Sequence, residues 1–190
     1  MNRITQRLDE LRRAKKKALT LFLTAGFPKP ASTPDLALAL ERAGADMMEL
    51  GMPFSDPLAD GPVIQDCSAV ATRNGVTLDG IFQMVRDIRS QSNIPLILMG
   101  YVNPVLRYGI GKFFSSAAQA GVDGVILPEV PLEETTRFQE AIGKNDLSNI
   151  LLVSPTTSQE RIEQIDAVSS GFVYCVSTTG VTSSRLTRYF

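Results

Sequence analysis

The sequence contains no histidine, and this absence excludes several kinds of active site. Histidine is the usual general acid–base group near neutral pH, a member of most Ser-His-Asp triads and a common ligand of catalytic zinc. Proton transfer in this chain would therefore have to use carboxylates, lysines, tyrosines or cysteines.

Cysteine and long hydrophobic runs are also scarce. Cys67 and Cys175 are far apart and form no CxxC pair, so we interpret both as packing residues in a reducing, cytoplasmic setting. No apolar run approaches the roughly 18 residues of a membrane span, and the charged N-terminus lacks the features of a signal peptide. With 19 basic and 20 acidic residues in 190, the net charge of −1 favours neither a nucleic-acid nor a membrane partner.

Short apolar runs alternate with amphipathic segments along the whole chain. Strands are predicted at residues 18–24, 46–50, 95–99, 124–127, 149–153 and 172–176. The first of them is expected to be buried on both faces. Helices are predicted at 4–11, 33–43, 62–74, 77–88, 110–120 and 132–142, with Thr77 as the cap of the fourth and Ser158 as the cap of a further one, and 101–108 is predicted to be a loop. The second helix is expected to start at Thr33 and to turn Leu36, Leu40 and Ala43 inward.

This alternation is typical of an α/β protein with a parallel sheet. The even spacing favours a (β/α)8 TIM barrel over an open sheet, and no GxGxxG follows the first strand to indicate a dinucleotide site. Eight units close such a barrel in about 250 residues. We therefore expect residues 1–190 to form a single barrel domain with about six of the eight units, incomplete at the C-terminus through fragmentation or truncation.

Two carboxylates stand where a barrel places its chemistry, at strand ends and the loops after them. Glu49 lies in an otherwise apolar strand, where burial would raise its pKa; a solvent-facing strand end is the alternative. Asp60 follows in the next loop, beside Gly61 and Pro62. Asp56 lies in the same loop and is expected to act as a turn residue.

Other candidates are weaker. No lysine falls at the C-terminal end of a predicted strand, where an imine-forming aldolase would need one. Tyr101 and Tyr174 are predicted near strand ends and could flank an aromatic substrate or simply pack. Phe22 points either into the barrel or onto a helix. The hydroxyl-rich segment 178–184 is either a lid over substrate or an ordinary polar loop.

The segment 49–62, ELGMPFSDPLADGP, closely resembles the signature of the tryptophan synthase alpha subunit family. Further matches are TAGFP at 24–28, GPVIQ at 61–65, YVNP at 101–104, LPEVP at 127–131 and GVT at 180–182. Together they extend over essentially the whole chain.

The resemblance implies a lyase that cleaves indole-3-glycerol phosphate to indole and glyceraldehyde 3-phosphate. Glu49 would be the general acid–base group that protonates indole C3, and Asp60 would accept the indole N–H. This subunit would need no cofactor and no metal. Its partner would be a beta subunit carrying pyridoxal phosphate, in an alpha2beta2 assembly.

The resemblance also implies a set of binding residues. The indole pocket would be lined by Phe22, Ile64, Met99, Tyr101, Leu127 and Tyr174, with Thr182 as the lid threonine. The beta subunit would contact Asp56, Pro57, Asn103, Pro104 and Pro131.

Two departures from the family pattern bear on activity. Ser183 stands where the family usually has glycine, and the strands expected to hold the substrate phosphate would lie beyond Phe190. The alternatives are therefore a truncated, inactive chain that only binds a beta subunit, and a different phosphate-handling barrel of the same pathway.

Overall fold

The computed structural model describes residues 2–177, within which helices alternate with short strands. The helices are α1 Arg3–Arg13, α2 Ser32–Arg42, α3 Pro62–Arg73, α4 Leu78–Arg89, α5 Val102–Tyr108, α6 Ile110–Ala120, α7 Thr136–Lys144 and α8 Gln159–Val168, with a 3-10 turn at Leu132–Glu134. The strands are β1 Thr20–Thr24, β2 Met47–Gly51, β3 Leu96–Met99, β4 Gly124–Ile126, β5 Ser148–Asn149, β6 Leu152–Val153 and β7 Tyr174–Cys175.

All the strand pairs in this part of the chain are parallel. β1 to β5 form one sheet in chain order, and β6 pairs with β7. The predicted strand at 149–153 is thus divided between two sheets. Its backbone bonding is nevertheless continuous, because the Ile150 N–H donates to Val125 and Leu151 accepts from the Tyr174 N–H. One extended segment therefore pairs first with β4 and then with β7.

Side chains of the central strands alternate between two apolar layers. Met48 and Leu50 of β2 pack in the outer layer, between the sheet and the surrounding helices. Met47 packs in the inner layer, with Ile97 of β3 and Ile126 of β4. Because side chains along a strand alternate in direction, Glu49 projects to the inner side, as Met47 does.

Helix α1 covers the end of the inner layer that lies opposite the loops following the strands. Ile4 is fully buried and packs with Met47, Ile97, Ile126 and Ile150. The glycines opposite make room for it, since a Cβ at Gly124 would lie 2.9 Å from Ile4 Cδ1. Burying an isoleucine side chain contributes about 1.5–3 kcal/mol to stability, so Ile4 alone accounts for much of the packing of α1 against the sheet.

A buried carboxylate, Asp123, connects several elements at the same end of the sheet. Asp123 is 3% exposed and accepts hydrogen bonds from Arg3, Arg89 and the Leu96 N–H. Burial lowers the pKa of Arg89 to about 10, although the charge of Asp123 opposes that shift. The cluster ties α1 and α4 to β3 and to the residue before β4.

The expectation that the first strand is buried on both faces is wrong in the described residues. β1 is half-buried along most of its length, and Phe22 is 37% exposed. The physical reason is that β1 pairs only with β2 within residues 2–177. The buried strands β2, β3 and β4 each have a neighbour on both sides.

The predicted buried face of α2 is confirmed only for Leu40, which is half-buried against the outer layer. The prediction is wrong for Leu36, which is 39% exposed, and for Ala43, which is exposed, while Ala37 and Leu38 are buried instead. Thr33 does not cap the helix; its hydroxyl accepts the Gly26 N–H at 2.8 Å and so faces the sheet. Ala37, one turn further on, takes the same face.

The segment predicted as a loop at 101–108 is helix α5. Its first N–H, from Val102, donates to Oε2 of Glu129 at 3.0 Å. Pro104 fits the first turn because that turn leaves N–H groups unbonded within the helix. Gly109, with φ of 94°, separates α5 from α6. The distant carboxylate that starts this helix could not be identified from local sequence.

Candidate active site

The loops after β1 to β4 all lie at the carboxyl ends of parallel strands, where a barrel builds its active site. Glu49 stands in β2, Asp60 in the loop after β2, and Tyr101 immediately before α5 in the connection after β3. The structure therefore brings three of the predicted site residues to one edge of the sheet.

Glu49 is a buried carboxylate without a hydrogen-bond donor among the described residues. It is 6% exposed and lies in register between Phe22 of β1 and Ile97 of β3. Burial raises the pKa of the carboxyl group, because the charged form loses its hydration. The prediction that Glu49 is buried is confirmed, and the alternative of a solvent-facing strand end is excluded.

Asp60 has a more polar environment than Glu49. It is half-buried, and its Oδ2 accepts a hydrogen bond from the Tyr101 hydroxyl at 3.2 Å. Burial raises the pKa of Asp60, and the bond from Tyr101 opposes that shift. The backbone around Asp60 is held as well, since its N–H donates to Pro57 and its carbonyl accepts from Gln65.

Tyr101 is anchored on both its ring and its hydroxyl. The ring stacks on Phe54 with 5.1 Å between centroids, and the Ala59 N–H donates to the hydroxyl at 3.0 Å. Sequence inspection missed Phe54 and Ala59, because neither carries a chemically distinctive group. The sequence gives no sign of their contact with Tyr101, because only folding brings residues 54–60 next to residue 101.

Two carboxylates in unlike surroundings suit separate proton-transfer roles. Glu49, buried with no donor, favours the protonated acid. Asp60 has a donor to its carboxylate and more contact with solvent, which favours the ionised form. Tyr174 also lies near Glu49: burial and the charge of that carboxylate both raise the pKa of the tyrosine.

The predicted pocket residues do not all occupy the inner side. Met99 and Tyr174 pack against the inner layer, and the exposed ring of Phe22 lies over Gly51 on the same side. Leu127, in contrast, belongs to the outer layer, and Ile126 takes the inward position instead. The two residues are adjacent in the sequence, and adjacent side chains along an extended segment point to opposite faces of the sheet.

Ile64 and Thr182 complete the predicted pocket. Ile64 is half-buried in the first turn of α3, adjacent to the loop that carries Asp60. Thr182 and the predicted lid at 178–184 lie outside the described residues.

The residues predicted to meet a partner are on the surface. Asp56, Asn103 and Pro131 are exposed, and Pro57 and Pro104 are half-buried. The same loop and the helix after it also expose two apolar side chains that the sequence did not single out. Leu58 is 76% exposed and Val63 is 60% exposed.

Other chemistries find little support within residues 2–177. Lys29 follows the C-terminal end of β1 by five residues, closer along the chain than any other described lysine follows a strand, and it is exposed rather than enclosed. No group of three or more acidic, cysteine or histidine side chains in this part of the chain is placed to hold a metal ion. None of its helices is long and apolar enough to cross a membrane.

The comparisons with known proteins agree on one family. The family model described as tryptophan synthase alpha chain matches residues 8–188. A tryptophan synthase alpha chain from Caldanaerobacter subterraneus subsp. tengcongensis is 49% identical over 97% of this chain and 70% of its own length.

Solved structures give the same result. Tryptophan synthase subunit alpha from Legionella pneumophila superposes with a TM-score of 0.90 and 43% identity, over 93% of this chain and 68% of that one. The tryptophan synthase a2b2 complex from Pyrococcus furiosus matches with a TM-score of 0.81 and 39% identity, over 85% and 68% of the two chains.

Proposed function

The chain belongs to the tryptophan synthase alpha chain family, a TIM-barrel lyase that cleaves indole-3-glycerol phosphate to indole and glyceraldehyde 3-phosphate, and we propose that Glu49 and Asp60 divide its proton chemistry. The observation that carries this proposal is the contrast between the two carboxylates. Glu49 is buried without a donor, and Asp60 is half-buried with one.

In the first step Glu49, as the neutral acid, donates its proton to C3 of the indole ring. Its raised pKa supports this role, because a carboxyl group that keeps its proton nearer neutral pH can act as an acid there. Protonation leaves a positive charge on the ring nitrogen. Asp60, ionised and accepting the ring N–H, stabilises that charge.

In the second step the Glu49 carboxylate removes the proton from the hydroxyl on the carbon attached to C3. The bond between that carbon and C3 breaks, and its electron pair returns to the ring. The products are indole and the aldehyde, and Glu49 regains the proton with which it began. Two carboxylates therefore suffice, and this chain would need no cofactor of its own.

Substitution of each carboxylate by its amide tests the two roles. Glu49→Gln should abolish indole release from indole-3-glycerol phosphate, and Asp60→Asn should slow it strongly, with circular dichroism spectra unchanged. Asp66→Asn is a matched control, since Asp66 is exposed on the adjoining helix α3. Substantial turnover by folded Glu49→Gln would remove Glu49 from the acid–base role.

We further infer that a beta subunit docks over the loops of this face. The support is the assembled a2b2 complex of the Pyrococcus relative and the exposed Leu58 and Val63 beside Asp56 and Pro57. Pyridoxal phosphate would belong to that partner. Both cysteines are free, which fits a cytoplasmic setting.

Leu58→Ser should weaken association with a beta subunit, measured by analytical ultracentrifugation of the mixture. Leu36→Ser, which changes an exposed leucine on helix α2, is the control. Equal association by both variants and the unchanged protein would place the docking surface elsewhere.

A further inference from the structure

The hydroxyl of Tyr101 lies between two groups of the loop that carries Asp60. It accepts the Ala59 N–H at 3.0 Å and donates to Oδ2 of Asp60 at 3.2 Å. A tyrosine hydroxyl has one proton to donate, and here the proton is directed at the carboxylate because the backbone N–H occupies the accepting side. The orientation of the phenol is therefore set by the protein.

The rest of Tyr101 is restrained in three ways. Its side chain is buried, with 8% of the residue exposed, and its ring stacks on Phe54. The next residue, Val102, donates its N–H to Glu129 in the loop after β4. Tyr101 is therefore held in place between the loops after β2 and β4, and it provides a fixed hydrogen-bond donor for Asp60.

We propose that Tyr101 is a positioning residue for Asp60. Its hydroxyl keeps the Asp60 carboxylate ionised and directed at the substrate, a role beyond that of lining the indole pocket. This inference rests on the proposed function of Asp60. It assigns to the hydroxyl a task distinct from ring packing, and the two tasks can be separated by experiment.

The chemistry of the pair supports this assignment. Burial raises the pKa of Tyr101 to about 12, and the negative charge of Asp60 contributes in the same direction. The phenol therefore stays a proton donor throughout the working pH range. Its bond opposes the rise that burial causes in the pKa of Asp60. Loss of the hydroxyl should make Asp60 harder to ionise and leave its carboxylate freer to rotate.

The first test is Tyr101→Phe, which keeps the ring and its stacking on Phe54. We expect kcat for indole release to fall roughly tenfold, the effect of losing one hydrogen bond to a charged group, with a smaller change in KM. The acidic limb of the profile of kcat/KM against pH should move to higher pH. Lost packing alone would lower the profile without moving that limb.

Tyr108→Phe is the matched control. Tyr108 is the last residue of α5, the helix that follows Tyr101, and its hydroxyl also donates to a carboxylate, that of Asp79. That pair lies among α4, α5 and α6, where Tyr108 packs on Phe82 and Phe113. Removing its hydroxyl should leave the acidic limb where it is in the unchanged protein.

A double-mutant cycle separates positioning from direct contact with substrate. If Tyr101 acts through Asp60, Tyr101→Phe should cause no further loss in an Asp60→Asn background. Additive losses would overturn the inference, and so would an unmoved acidic limb in Tyr101→Phe. Thermal melting of each variant excludes unfolding as the cause.

The same cycle distinguishes failure of this inference from failure of the proposed function. If Asp60→Asn is slow and Tyr101→Phe is not, Asp60 keeps its role and only the positioning role is rejected. If Asp60→Asn turns over at the normal rate, the proposed role of Asp60 is itself wrong, and the positioning role falls with it.

Discussion

A side chain at Gly51 would collide with Phe22, because a Cβ there would overlap Cζ of the phenylalanine ring. The two residues are on neighbouring strands: Phe22 of β1 is in register with Glu49, and Gly51 lies two residues beyond Glu49 along β2. The ring of Phe22 thus takes its position partly from the absence of a side chain at Gly51.

Gly51→Ala should therefore disturb the pocket without unfolding the protein. The ring is 37% exposed and can swing away from the new methyl group, so the cost should appear in substrate binding. We expect kcat/KM for indole-3-glycerol phosphate to fall roughly ten- to a hundredfold, chiefly through KM. Gly111→Ala, at a position with nothing within 4 Å of the new Cβ, is the control and should bind normally.

The pH dependence of stability should report the burial of the Glu49 carboxyl group. Burial raises its pKa in the folded protein, so its contribution to stability is full below the ordinary pKa of 4.5 and is lost as the pH rises through the folded value. Glu49→Gln cannot titrate. Urea unfolding should show the variant gaining stability relative to the unchanged protein as the pH rises above 4.5.

Glu140→Gln provides a control of opposite sign. The bond from Lys144 lowers the pKa of Glu140, so that carboxylate stabilises the fold above its ordinary pKa and the contribution is lost as the pH falls. Its replacement should lose a little stability relative to the unchanged protein as the pH rises. A flat difference for Glu49→Gln across this range would contradict the burial of an ionisable Glu49.

Ile4 should matter to stability far more than its place near the chain start suggests. Ile4→Ala removes a fully buried side chain from the inner layer and leaves a cavity beneath the strands. We expect the free energy of unfolding to fall by about 2–4 kcal/mol, measured by urea denaturation. Thr5→Ala, at an exposed site on the same helix, should change the free energy of unfolding little. Equal effects of the two substitutions would mean that Ile4 does not pack in the inner layer.

The two arginines that contact Asp123 should make the buried carboxylate costly to remove. Asp123→Ala leaves Arg89, whose side chain is 10% exposed, without its partner, and should cost about 3–5 kcal/mol. Arg3→Gln should cost less than about 1 kcal/mol, because the Arg3 side chain is 39% exposed and solvent screens the pair. Thermal unfolding of the two variants measures the contrast.

The sequence predicted what depends on local patterns. The six strand segments and the caps at Thr77 and Ser158 follow from periodicity and capping chemistry, and their placement is confirmed. The burial of Glu49 followed from its place within an apolar run. These features need only a few neighbouring residues.

What the sequence missed depends on residues that are distant along the chain. Helix α5 begins on Glu129, 27 residues away, and Asp60 is bonded by Tyr101, 41 residues away. The resemblance implied Leu127 as a pocket residue, whereas the folded chain turns the neighbouring Ile126 to the inner side, and an apolar run without polar alternation does not show which of the two faces inward. Tertiary contacts, not propensity, decided each case.

The contacts of helix α1 also constrain the order in which the protein can fold on the ribosome. Asn2 caps the helix and donates to the carbonyls of Asp123 and Asp146, and Ile4 touches Ile150. Helix α1 leaves the exit tunnel before the residues that bury it, so its contacts are not complete until about 150 further residues have followed. We expect α1 to stay cleavable by protease on nascent chains shorter than this, and to become protected only once β5 has emerged.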